Sequence, residues 1–151
     1  MTNEPRRVVT GSNDEGKSIV LIDGDATNSK EIVPGFIRTD LWTSETTPAD
    51  NTGNEDMGAK EIVFPSQSGT LFTYVEIDPG IGVDEPGWHA TDTIDYIVVI
   101  SGEIYCLLDE GEVLLKAGDL LVQRGTNHAW ANRSSEKCKI AGVMIGANPL
   151  R

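Results

Sequence analysis

The sequence predicts an all-β protein, a small closed barrel or jelly roll with few and short helices. Three observations lead there. Short runs rich in Val, Ile, Phe, Tyr and Thr recur along the chain, separated by Gly, Pro, Asn and Asp. No segment sustains an apolar period of 3.6 residues. Glycines recur between the runs, at corners where a positive φ is cheap only for that residue.

Taken in chain order, the first strands are expected at SIVLID (18–23) and GFIRTDLWTS (35–44), on their Ile, Val, Phe and Trp. The stretch 45–60 reads as a loop, with one helical turn near NEDMGAK. TLFTYVEID (70–78) resumes the β pattern, followed by IDYIVVIS (94–101) and EIYCLLD (103–109). The turn signal DEG (109–111) leads into EVLLKA (112–117), and KAGD (116–119) into DLLVQR (119–124). RGTN (124–127) precedes NHAWAN (127–132), and NRSSEK (132–137) precedes KCKIAGVMIG (137–146). A barrel of this size has an interior just wide enough for one small ligand. Its inward-pointing residues near a mouth are where chemistry is to be sought.

Composition narrows the function. At 151 residues, 38% apolar and 24% charged, the chain suits one globular domain. Its net charge of -12 argues against nucleic acid and against anionic membrane surfaces, both of which select clustered Lys and Arg. The acidity lies mostly in residues 1–87, with sixteen acidic and six basic side chains, and reads as a solvated surface. No apolar run reaches the roughly 18 residues that span a bilayer. The start, MTNEPRRVVTGSNDEGK, has no apolar signal core, so a cytoplasmic location is expected. Cys106 and Cys138 form no CxxC pair and read as small buried hydrophobes.

The chain has two histidines, and both stand in patterned surroundings. His89 lies in GWHATDTIDYIVVISGE (87–103), with Thr91 and Asp95 at the same strand parity, so all three can share one face. His128 lies in GDLLVQRGTNHAWAN (118–132). Two imidazoles and one carboxylate make a facial triad that suits one divalent metal ion, Fe, Mn, Ni or Zn alike. Asp95 is short for that role, since ligand distances of about 2.0–2.2 Å are needed. Without a metal, His89, Asp95 and His128 would form an acid–base cluster, the carboxylate raising the imidazole pKa and fixing its tautomer. Trp88, Tyr96 and Trp130 flank the histidines; Tyr96 and Trp130 are candidate pocket walls, beside Thr91. Strand alternation turns either Gln123 or Arg124 inward, and Gln123 is the better candidate.

These two motifs resemble the paired motifs of the cupin superfamily. His89 fills the first ligand position of the first motif, Thr91 stands where a second His is usual, Asp95 stands where Glu is usual, and Gly102 follows at the family's spacing. In the second motif Gly118-Asp119, His128 and Asn132 fit, while QRGTNH (123–128) replaces Pro-x-Gly-x-x-His. The fifteen residues between Gly102 and Gly118 are typical. The likeness covers about residues 70–146, and RRVVTG and DLWTSETTPADNTG resemble a subgroup of small single-domain cupins without an assigned reaction. It implies a double-stranded β-helix, a jelly-roll barrel, over residues 70–146. Residues 1–69 would be a β extension packed on the barrel and on a partner subunit, and 147–151 a tail. It implies His89, Asp95 and His128 as both catalytic and metal-ligating residues, and a homodimer that exchanges N-terminal strands.

Three functions follow as expectations. One is an enzyme acting on a small oxygenated metabolite by decarboxylation, isomerisation, dehydration or dioxygenation. Another is a non-catalytic module that binds or senses a small metabolite. The third is a structural role through dimerisation.

Overall fold

The computed structural model describes residues 4–150. Among these residues, eleven strands and one short 3₁₀ turn (Met57–Ala59) make up the regular structure. The strands are β1 (Arg6–Ser12), β2 (Ser18–Asp25), β3 (Ser29–Val33), β4 (Phe36–Ser44), β5 (Thr70–Ile77), β6 (Thr93–Ser101), β7 (Glu103–Leu108), β8 (Glu112–Lys116), β9 (Leu120–Gln123), β10 (His128–Ala131) and β11 (Cys138–Gly146). The 3₁₀ turn falls in the expected NEDMGAK stretch, capped by Asp56, whose side chain accepts from the Gly58 amide.

Two strands were not foreseen. RRVVTGS (β1) opens on two arginines and contains a glycine, and SKEIV (β3) is mostly polar, so neither has a strand's composition. Each is made by its partner. β1 pairs with β2 in a hairpin whose corner is held by Asn13 Oδ1, which accepts from the amides of Glu15 and Lys17. β3 pairs with β4 at the edge of the large sheet.

The barrel is built from a six-stranded sheet in the order β3-β4-β5-β11-β6-β9 and a three-stranded sheet in the order β10-β7-β8. The inner faces enclose Val75, Ile77, Val99, Ile104, Cys106, Leu115, Cys138 and Ile140. Both cysteines are thus buried and free. Each fully buried aliphatic side chain there contributes about 1.5–3 kcal/mol by leaving water.

Register sets where the core ends and the polar interior begins. Val75, Ile140 and Val99 lie opposite one another across β5, β11 and β6. Four residues along β6, about 13 Å by strand rise, Leu71, Met144, Asp95 and Gln123 form the corresponding row across β5, β11, β6 and β9. One half of the barrel is therefore packed apolar core, and the other carries buried polar groups toward a mouth. Among the described residues no helix is long and apolar enough to cross a membrane.

Candidate functional site

Strand alternation delivers the polar groups of the mouth. On β6, Thr93 and Asp95 turn inward and are buried, while Tyr96, the residue after Asp95, is 52% exposed. Tyr96 lies opposite Val122 on the outer face, so it does not line the interior as expected. On β9 the same alternation buries Gln123, and Arg124 beyond it is exposed.

His89 and His128 meet through their backbones. Each amide donates to the other's carbonyl, at 3.0 Å from His89 and 2.9 Å from His128, in an isolated antiparallel bridge. Their ring centroids are 4.3 Å apart at an interplanar angle of 57°. His128 is buried and His89 exposed, so the pair runs from the interior to the surface. Trp130 meets the His128 ring edge-on at 5.6 Å and otherwise packs on the core.

Both imidazoles are oriented the same way. His89 Nδ1 donates to the Gly87 carbonyl at 2.8 Å, and His128 Nδ1 donates to the Thr126 carbonyl at 2.8 Å. A carbonyl oxygen can only accept, so the proton of each neutral ring sits on Nδ1 and Nε2 carries a bare lone pair. Burial holds the His128 pKa below its ordinary value; the Thr126 carbonyl opposes this, and the nearby His89 charge reinforces it. His128 is therefore a neutral imidazole through the physiological range.

Asp95 is held in a hydroxyl chain. Thr93 Oγ1 donates to Asp95 Oδ1 at 2.7 Å, and Thr91 Oγ1 lies 2.7 Å from Thr93 Oγ1. The single Thr93 proton is committed to an ionised Asp95, so Thr91 is then the donor of that second bond. Burial raises the Asp95 pKa, against the opposing pull of the Thr93 hydroxyl and the His89 charge.

Gln123 is inward, but its amide is already engaged. Its Nε2 donates to Cys106 Sγ at 3.6 Å and its Oε1 accepts from the Thr126 hydroxyl. It braces the turn whose Thr126 carbonyl orients His128. Gly125 in that turn has φ +68, and a side chain there would meet the carbonyls of Thr91 and Thr93 at 3.1 and 3.3 Å. Asn132, the last residue of the second motif, is fully buried: it donates to the carbonyls of Ile77 and Glu136 and accepts from Ser134. Thr93 and Thr126 were missed by sequence reasoning; the Thr-x-Thr-x-Asp alternation at 91, 93 and 95 was the available signal for the first.

Residues 73–146 match the cupin domain family. The chain is 34% identical over 155 aligned residues to phomopsin biosynthesis cluster protein C' of Diaporthe leptostromiformis, covering 97% of this chain and 80% of that one. This chain belongs to the cupins. This cupin is also 32% identical to a cupin-domain-containing oxidoreductase of Hypocrea virens, covering 95% of this chain and 77% of that one. Its barrel resembles the cupin domain of Schizosaccharomyces pombe Cnp3, with a TM-score of 0.58 at 11% identity, covering 95% of this chain and 88% of that one.

The metal expected of such a barrel does not fit the residues present. Among the described residues no group of three or more His, Cys, Asp or Glu is disposed to hold an ion. Thr91 occupies the usual second-His position, and the short Asp95 side chain has Oδ1 bound by Thr93. What this cupin does assemble is two imidazoles with bare Nε2 atoms and a desolvated carboxyl group. The two thiols add no nucleophile: burial raises the Cys106 pKa and pushes that of Cys138 up to about 11.

Proposed function

We propose that this cupin is an enzyme that transfers a proton at the carbon beside a carbonyl or enol of a small oxygenated metabolite, as in an isomerisation or dehydration. The reading rests on one observation above all, the 4.3 Å pairing of two imidazoles whose Nδ1 atoms are both bound to carbonyls. Kept neutral by burial, His128 acts as the base at Nε2. Exposed beside it, His89 exchanges the proton with water. Asp95, fixed by Thr93, is the third polar group of the site. The phomopsin-cluster relative supports a place in a biosynthetic pathway.

A second reading is favoured by the name of the Hypocrea virens relative: an oxidoreductase acting on the same class of metabolite. A homodimer belongs to either reading. The β1–β2 hairpin stands outside both sheets and leaves Val8 and Val20 47% and 58% exposed. Two-stranded hairpins are weak alone, and a second copy would cover these residues.

The test is deuterium incorporation from D₂O beside the carbonyl of a panel of ketones and aldehydes. Wild type should exceed buffer, and His128→Ala should return the rate to that of buffer while the fold is kept. Equal rates in wild type and variant would end the acid–base reading. Metal analysis of the same sample reads below one equivalent of any divalent ion on this account.

A further inference from the structure

The approach to the paired imidazoles has a chemical character of its own. Two depressions, of about 580 and 550 Å³, share Ala90 and Pro149 and so adjoin at the residue after His89. The first includes Thr126, whose carbonyl holds His128; the second includes Thr91 and Thr93, which lead to Asp95. Each lies in the size range of small-molecule sites.

Their walls are apolar and acidic. Leu108 and Leu150 line the first, and Phe64 the second, with 36%, 54% and 55% of their surfaces exposed. The ionisable side chains among the described lining residues are Asp109 and Glu110 in the first and Asp92 in the second, all exposed; none is Lys or Arg. Asp109 Oδ1 accepts from Asn127 Nδ2 at 2.7 Å, which fixes one of these charges at the rim. Deeper in, His128 is kept neutral and Asp95 adds a further carboxyl group.

We infer that the substrate reaching His89 and His128 is a non-anionic molecule with an extended apolar body, and that carboxylates and phosphates are disfavoured at this mouth. The inference deepens the proposed function in taking the depressions as the route to that site. Apolar walls give the body its place, and the neutral oxygen function reaches the imidazoles. Three unit charges at about 8 Å in a water-like dielectric weaken an anion's binding about tenfold, and about two- to threefold once screened at physiological salt.

Three probes of one chain length, octan-2-one, octanoate and octylamine, separate the cases. With only two histidines in the chain, the two ring Cε1–H signals in an NMR titration report binding without any need for turnover. At low salt octan-2-one should shift them with about tenfold lower Kd than octanoate and octylammonium with a lower Kd still, and 0.15 M salt should narrow both gaps. In the triple variant Asp92→Asn, Asp109→Asn, Glu110→Gln the gap should close to within about twofold. Octanoate binding as tightly as the ketone to wild type overturns the inference, as does a gap that survives in the variant, or failure of all three probes to move either signal. Loss of the acid–base reading shows instead as absent deuterium incorporation with the order of binding intact.

Discussion

His89 and His128 are joined by a reciprocal pair of backbone hydrogen bonds at 3.0 and 2.9 Å, which sets an exposed imidazole beside a buried one, tilted by 57° with centroids 4.3 Å apart. The strand pairing fixes the spacing. The side chains come along with it, and each has its own carbonyl to hold Nδ1.

His128 should titrate below the ordinary histidine value near 6.5, because of burial first and the His89 charge besides. In His89→Gln the His128 midpoint should rise, yet stay below 6.5 because burial remains. The Cε1–H shifts followed against pH check this; a His128 midpoint at or above 6.5 in wild type speaks against it.

The same depression has a stability consequence with a definite sign. The unfolded chain holds the His128 proton more tightly than the folded one, so the contribution is complete above pH 6.5 and is lost as pH falls from there through the folded value. His128→Gln should flatten that part of the curve of unfolding free energy against pH.

Asp95 has the opposite slope. Its folded pKa is raised by burial above the ordinary 3.8, so its favourable contribution is present below 3.8 and is lost as pH rises through the folded value. Asp95→Asn keeps an oxygen for the Thr93 hydroxyl without the buried charge. It should unfold at higher urea than wild type at pH 7, with the advantage gone at pH 3.5, and should lose activity. A variant less stable than wild type at neutral pH would show that the carboxylate is a net stabiliser.

Gln123 and Asn132 act through the turns they tie. Gln123→Ala removes the bonds to Cys106 and Thr126 and should cost about 1–3 kcal/mol in urea unfolding. It should also shift the His128 ring signal, since Thr126 orients that ring. Asn132→Ala deprives the buried Ile77 carbonyl of its donor and should cost a similar 1–3 kcal/mol while leaving the His128 signal in place.

Homodimerisation through the N-terminal hairpin predicts that Val8→Glu with Val20→Lys halves the mass seen by light scattering without lowering strand content. An unchanged mass would place any dimer contact elsewhere.

Much of this was legible in the sequence. Nine strand expectations lie on observed strands because apolar runs and glycine corners carry the fold locally. β1 and β3 were not legible, since pairing and side-chain ties make them strands: Arg7, for instance, forks onto Asp56 at 2.7 Å and reaches the Leu41 carbonyl. At the site, alternation required one of Gln123 and Arg124 to turn inward, with Gln123 the better candidate, and the structure buries Gln123; the same rule applied to Tyr96 would have turned it away from Asp95. The convergence of His89 on His128 was expected from family likeness alone; the bridge that makes it links residues 39 positions apart. The metal expectation took residue types at their motif positions and already marked Asp95 as short, but the Thr93 bond that engages its Oδ1 was invisible at that level.

The most direct measurement is the nitrogen-15 tautomer spectrum of the two imidazoles at neutral pH. A protonated Nδ1 and a bare Nε2 are expected in both rings, ready to take a proton from substrate. A ring with its proton on Nε2, in His128 above all, would contradict it.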